Sequence, residues 1–393
     1  MSALMSEIES NGWRRPDFGN SNLAISKQLA GSDKGSLIGC GAKKLFIIID
    51  GMGYKLARRV VGEGGSASEH ARWLNMRQIT SIFPSTTGNV LSSFYSGMTT
   101  ARHGIVGTKV PFKEAGMLIN VLGFSAALGR DLKLWRIDPK TFYPKPEMID
   151  SLKARGGFKS LLKEDIIGTG LSTAVFEYGD VVPFVTFEDM LIRVKGLIKG
   201  GTRYIFAYYD VLDHVQHAYG PDTEEAESLL HGIFSAMDRI LRPVAENSGY
   251  DLIITSDHGQ TSVPEKNAIE IESDSGMLEF LQVPPWGEGR SLFLHVSDGK
   301  ERAFEDYFHR HLAKHAMLVD SDEAIRCGLF GDSEVGDLVR YRFGTHIIMP
   351  YDNFAMPYKY PNTSRHIREK PPMLGMHGGL TEDEMLIPLF TNF

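Results

Sequence analysis

Cysteine is nearly absent. The 393-residue chain has two, Cys40 and Cys327, too few and too far apart for a disulfide framework or a thiolate metal site. Long apolar runs are also missing. No stretch approaches the roughly 18 apolar residues of a membrane span. The first twenty residues lack a basic segment followed by an apolar core, so no signal peptide is expected. There is no basic excess either. The net charge of −7 gives no general reason to bind a nucleic-acid polymer, although local cations or metals can still hold a small anion. No internal repeat or low-complexity tract occurs. These absences lead us to expect a cytoplasmic protein whose partner is a small molecule, not a membrane or a polymer.

What remains is ordinary for a globular chain: 42% hydrophobic and 23% charged residues. The length suits one large domain with an insertion, or two domains. Residues 1–42 are polar and rich in Gly, Ser and Asn. They read as a surface arm with a short helix near 21–30. An apolar run from Lys43 to Ile49 then ends in Asp50-Gly51-Met52-Gly53, the pattern of a strand buried on both faces. Further strands are expected over 172–178, 203–209 and 251–256. Helices are expected over 88–96, 188–199 and 224–246. Residues 108–170 are mixed, with Trp135 and several prolines in loops. Strand and helix alternate, which argues for an α/β fold with a mostly parallel central sheet and helices on both faces. This core is assigned to residues 43–264 and 366–393. Residues 265–365, with strands near 291–296 and 346–349 and a helix over 301–315, read as a smaller α+β insertion.

The chain is organised around residues 253–261, I-I-T-S-D-H-G-Q-T. A buried strand here ends at once in Asp257 and His258. Adjacent side chains leave a strand on opposite sides, so both can meet one ion only where the chain turns, and Gly259 permits a turn. Asp257 can equally be read as a helix cap. Other strand ends offer similar groups. Asp50 leaves the first strand, where open α/β sheets place ligands. Asp213 and His217 are four apart, on one side of a helical turn. His214 and Asp210 compete for the same role. His377 sits among glycines. Thr86 and Thr87 precede the helix expected from Gly88, as cap or as nucleophile, since a helix N-terminus favours an anion.

Carboxylates and imidazoles without thiolates suit zinc, manganese or iron. Two divalent transition ions can be housed: one by Asp213, His217 and His377, the other by Asp50, Asp257, His258 and a threonine. Paired ions about 3.5–4 Å apart clamp both sides of an in-line displacement at phosphorus.

The motifs IIIDGMG, FPSTT, SGMTTARHGI, DHVQHAYGP, SDHGQT and GMHGGLT stand in this order along the chain. The sequence resembles the alkaline phosphatase superfamily, and within it the type I phosphodiesterase/nucleotide pyrophosphatase branch. The resemblance implies an alkaline phosphatase-like fold, usually two Zn²⁺ ions, and Thr87 as nucleophile and ligand, with Thr86 as runner-up. It places Asp213 and His217 among the ligands and leaves Asp210 and His214 outside them. It implies a phosphoryl-threonine and its hydrolysis, with a phosphodiester or pyrophosphate as substrate. A phosphomonoesterase or phosphonate hydrolase is the alternative. A sulfatase would need Cys or Ser in a C/S-x-P-x-R context, which is lacking near residue 87. Nucleotide-cleaving members often carry asparagine where this chain has Thr108. Asn120 or Asn89 is the expected substitute for that phosphate contact. His103 reads as a structural turn residue. Arg102, the nearest arginine in this segment, lies beyond the helix.

Overall fold

The apolar run that begins at Lys43 forms the middle of a sheet. The computed structural model describes residues 3–32, 34–126, 131–132, 136–272, 275–360 and 371–393. Among them the strands are β1 (Lys43–Ile49), β2 (Asn75–Thr80), β3 (Lys109–Phe112), β4 (Met117–Asn120), β5 (Ser125–Ala126), β6 (Phe158–Lys163), β7 (Val181–Phe184), β8 (Tyr204–Tyr209), β9 (Tyr250–Thr255), β10 (Thr261–Ser262), β11 (Trp286–Glu288), β12 (Ser291–Leu294), β13 (Ala316–Asp320), β14 (His346–Pro350), β15 (Gly375–Met376) and β16 (Leu386–Thr391).

The central sheet has the order β2-β16-β9-β1-β8-β6-β7. Strands β9, β1, β8, β6 and β7 pair in parallel. Residues of β1 alternate between two cores, as the period of a strand requires. Leu45, Ile47 and Ile49 pack with Met190, Leu230 and Phe234 on one face. Phe46 and Ile48 pack with Phe94 and Phe206 on the other. The expectation of a mostly parallel sheet needs one correction, because β16 runs antiparallel to both β9 and β2. The loop that bears His377 lies at the carboxyl ends of the parallel strands. A strand entered directly from there can only run back down, since a parallel return needs a crossover of a dozen or more residues.

A second sheet, β13-β14-β12-β11-β3-β4-β5, is antiparallel. It takes β11–β14 from the stretch read as an insertion and adds β3–β5 from residues 109–126, so it is not confined to that stretch. The boundary expected at 365/366 lies outside the described residues, as does Trp135.

Three local expectations are corrected. The N-terminal segment is not a surface arm: Leu4, Met5, Ile8, Trp13, Ala24, Ile25 and Leu29 belong to the main core. Asn22, on the helix Asn22–Ala30, donates to the Asp257 carbonyl at 3.1 Å. Residues 172–178, rich in β-branched and aromatic side chains, are not a strand. Gly170–Val175 is helical. The Ser172 hydroxyl bonds the Ile166 carbonyl at 2.8 Å, a local contact that competes with sheet pairing. The helix expected over 224–246 holds from Glu224 to Ala236, then widens to a π-helical turn at Met237–Leu241 before Arg242–Ala245. Pro243 lacks the N–H that a regular helix needs there.

Candidate metal centre and nucleophile

β1 lies between β8 and β9, so the loops after these three strands converge. Asp50 follows β1 and is buried. Its Oδ2 accepts a hydrogen bond from Tyr208 Oη of β8. Gly51, next in sequence, has φ of +74°, a conformation that glycine adopts without strain. Asp257 follows β9. Its Oδ1 accepts from the amides of Gly51 (3.3 Å) and His258 (3.0 Å). That leaves Oδ2 to face the His258 ring, 3.5 Å from Nε2; Asp50 Oδ1 is also 3.5 Å from that nitrogen. Gly259 is required for close approach: a Cβ there would stand 2.1 Å from the Asp383 carbonyl oxygen.

Asp213 and His217 share a face of the helix Val211–Tyr219, with His217 Nε2 3.2 Å from Asp213 Oδ2. His377 Nε2 is 3.7 Å from Asp213 Oδ1. Three imidazoles are anchored in one manner. His217 Nδ1 bonds the Gly375 carbonyl (2.7 Å), His258 Nδ1 that of Gly259 (3.0 Å) and His377 Nδ1 that of Ser85 (3.0 Å). A carbonyl only accepts, so a proton sits on Nδ1, and in the neutral ring the Nε2 lone pair is turned toward carboxylate oxygens. Lone pair facing lone pair is unfavourable unless a cation lies between, and such backbone-anchored imidazoles are the usual supports of a metal ion.

The structure brings together two groups able to hold an ion: Asp213, His217 and His377, and Asp50, Asp213 and His258. Asp213 belongs to both. The residues fit cations on independent grounds. Asp50 Oδ1 and Asp257 Oδ2 are buried oxygens without a hydrogen-bond partner, which is costly for carboxylates unless a positive charge is supplied. Burial pushes the Asp50 carboxyl well above its ordinary value, and the Asp257 and Asp213 charges add to this. Burial holds His377 well below its ordinary value, with His258 contributing. Burial also acts upward on Asp213, yet His217 and the other imidazoles bring it below the usual carboxylate range. Burial depresses His217, but the Asp213 charge outweighs this and raises it.

The helix Thr87–Ser96 begins one residue earlier than expected, and all ten of its residues are buried, so it is not amphipathic. Thr86 occupies the cap position and Thr87 the first turn. Their hydroxyls part company. Thr87 Oγ1 lies 3.1 Å from His258 Nε2 and 3.5 Å from Asp50 Oδ2. Thr86 Oγ1 donates to Glu288 at 3.2 Å. Asp50, Thr87, Asp213 and His217 line a cavity of about 440 Å³. Its wall is otherwise built largely by Leu91, Tyr95, Leu162, Leu171, Phe176 and Tyr208.

Other expected residues stand outside the two ion-holding groups, although Asp210 and His214 also line the cavity. Asp210 is bound by Lys163 Nζ (3.1 Å), and His214 leans on the Asp210 carbonyl with its side chain mostly exposed. Asn120 Oδ1 accepts from Leu122 and Gly123 in its own turn. Thr108 gives its amide to Glu288 (2.6 Å). Asn89 ties Pro84 to Thr100. His103 is buried on Ser93 Oγ at 2.8 Å. Arg102 is exposed and paired with Asp332. Sequence reasoning missed Tyr208, Gln260, which donates to Asp213, and Glu288. Gln260 lies inside the SDHGQT motif. Glu288 sits in an unremarkable W-G-E-G-R turn that carries no local signal.

Fold and site together define a metal-assisted hydrolase. The strand-end loops supply oxygen and nitrogen ligands around a hydroxyl at a helix start. The chain belongs to the type I phosphodiesterase/nucleotide pyrophosphatase family, whose profile matches residues 143–380, more than half of its length. It is accordingly a hydrolytic enzyme of the phosphodiester and pyrophosphate class. Its fold is similar to that of murine ectonucleotide pyrophosphatase/phosphodiesterase 5, with TM-score 0.64, 16% identity, and 88% of this chain and 87% of that one covered. It is also similar to phosphonoacetate hydrolase from Sinorhizobium meliloti 1021 in complex with phosphonoformate, with TM-score 0.64, 17% identity, and coverage of 90% and 91%. No match is found among curated proteins. Among the described residues no helix is long and apolar enough to cross a membrane.

Proposed function

We propose that this enzyme cleaves a small phosphodiester or pyrophosphate through a phosphoryl-Thr87 intermediate. The observation that carries the reading is the Thr87 hydroxyl lying between His258 and Asp50 at the start of a buried helix. Asp213, His217 and His377 would hold one divalent ion, and Asp50, Asp257, His258 and Thr87 the other; the set suits Zn²⁺, Mn²⁺ or Fe, and the resemblance to the family favours Zn²⁺. When bound, the ions lower the pKa of the hydroxyl and neutralise charge on the transferred group.

The chain's own residues do the rest. Thr87 Oγ gives up its proton to solvent and forms a bond to phosphorus while the ester P–O bond breaks and the leaving oxygen takes a proton from water. Water then attacks phosphorus, the P–Oγ bond breaks, and Thr87 is restored. The first amide to close a backbone bond within the helix is that of Val90, on Thr86 O. The amides of Thr87, Gly88 and Asn89 precede it and have no helical carbonyl to bind, so they can meet a non-bridging phosphoryl oxygen. The apolar cavity wall beside Thr87 suits the organic part of an ester and excludes water from it. Asn120 and Thr108 are the proposed substrate-side polar residues. We propose a cytoplasmic location, because two cysteines so far apart in sequence offer no disulfide framework; cell fractionation tests it.

The deciding experiment is a panel of a diester (bis-p-nitrophenyl phosphate), a nucleotide 5′-aryl ester, a monoester (p-nitrophenyl phosphate) and phosphonoacetate, run on metal-loaded protein. The diester or nucleotide ester is expected to give the highest kcat/KM. A clear preference for the monoester or the phosphonate overturns the reading in favour of that class.

A further inference from the structure

Glu288 ends β11 at a hairpin turn that is fastened to the metal-centre loops. Arg290, two residues on, is buried against Glu384, with Nη2 to Oε2 at 2.9 Å. Glu384 in turn accepts the Gly379 amide at 2.8 Å. A Cβ added at Gly378 would come within 3.0 Å of Glu288 Cβ, so the glutamate packs beside the residue that follows His377. Its Oε1 accepts from Thr86 Oγ1 at 3.2 Å and from the Thr108 amide at 2.6 Å. Glu288 belongs to neither ion-holding group, yet its charge is close enough to act on His217.

Two donors, one of them on the residue preceding Thr87, are therefore occupied by one carboxylate. The Thr86 hydroxyl serves Glu288 and makes no cap bond to its own helix. A phosphomonoester near neutral pH carries one more negative charge and one more unesterified oxygen than a diester, because its second ionisation falls near pH 6. A carboxylate at this position repels the added charge and takes donors that the added oxygen would use. Selection against a competitor by an unfavourable charge is a general route to specificity.

Resting on the phosphodiesterase reading above, we infer that Glu288 is a specificity-determining residue. It biases the Thr87 centre toward singly charged diesters and against dianionic monoesters.

The test is kcat/KM for p-nitrophenyl phosphate and bis-p-nitrophenyl phosphate on metal-loaded wild type, Glu288→Gln and Glu288→Ala. Glu288→Gln keeps an acceptor oxygen for Thr86 and Thr108 while removing the charge. In it the monoester kcat/KM is expected to rise about tenfold without a matching rise for the diester. Glu288→Ala also frees the two donors and should move the ratio further in the same direction. Inorganic phosphate, as a competitive inhibitor at pH 8, should bind both variants more tightly than wild type. A parallel loss on both esters would mean that Glu288 only holds the loops in place, and would overturn the inference. An unchanged ratio with unchanged phosphate inhibition overturns it as well. A wild-type enzyme that lacks diester activity instead overturns the phosphodiesterase reading, and this inference with it.

Discussion

The imidazoles of His258 and His377 stack with ring centroids 3.7 Å apart and planes 16° from parallel. Each is pinned by Nδ1 to a backbone carbonyl, which leaves Nε2 for another partner. Two buried rings at this distance cannot both be charged at low cost, and burial, with His258 stacked beside it, holds His377 well below its ordinary value. Neutral imidazole is the form that binds metal.

The first prediction follows from that pair. Dialysis against a chelator should abolish hydrolysis and lower Tm, because an ion that binds only the folded state stabilises it by mass action. Elemental analysis of active protein should find about two transition ions per chain. Active protein with no bound transition metal would remove the basis for this centre.

A second prediction separates the threonines. Thr87→Ala should lower kcat by about three orders of magnitude or more while metal content stays near that of wild type. Thr87→Ser should retain measurable turnover, since the hydroxyl remains and only the methyl that restricts its rotamer is lost. Thr86→Ala should be milder. Steady-state kinetics with metal analysis decide the matter, and the reverse order of severity would move the nucleophile to Thr86.

The third concerns the buried ion pair behind the His377 loop. Both side chains are almost fully enclosed. Although burial alone acts upward, Arg290, Thr381 and the Gly379 amide hold the Glu384 carboxyl below its ordinary value. Glu384→Gln leaves the Arg290 guanidinium buried and unpaired, so it should cost about 3–5 kcal/mol in denaturant unfolding. A change below about 1 kcal/mol would show that the pair contributes little.

The fourth is a pH dependence. Burial, with Arg342 adding, lowers the His103 pKa from 6.5 to about 3. Between these values the unfolded chain binds a proton that the folded chain does not. Stability from this residue is therefore complete above pH 6.5 and is lost as pH falls toward 3, by up to about 1.4 kcal/mol per pH unit. In His103→Gln, thermal melts from pH 7 to 4 should show a shallower acid slope than wild type. Identical slopes would mean that His103 takes up its proton without cost.

Much of the centre was legible because its chemistry lies at strand ends. An apolar run that stops at a carboxylate, as at Ile49-Asp50 and Thr255-Ser256-Asp257, marks both a buried strand and the polar group that leaves it. Four-residue spacing was enough to pair Asp213 with His217, since one helical turn fixes their relation. These are properties of a few consecutive residues, and periodicity reports them directly.

The sequence by itself determined the residue types of the candidate site and the alternation of strands with helices. Only the tertiary structure decided that Asp213 stands in both carboxylate–imidazole groups and that Thr86 and Thr87 face different partners. It also decided that the helices Ala3–Ser10 and Asn22–Ala30 contribute side chains to the core and that Glu288 reaches the residue that caps the Thr87–Ser96 helix. Each depends on contacts between segments distant in sequence, such as Glu288 with Thr86 or Asn22 with Asp257. Side-chain periodicity records which face of an element is apolar. It carries no record of which other element covers that face, and burial of the N-terminal helices and the direction of β16 are set by that covering.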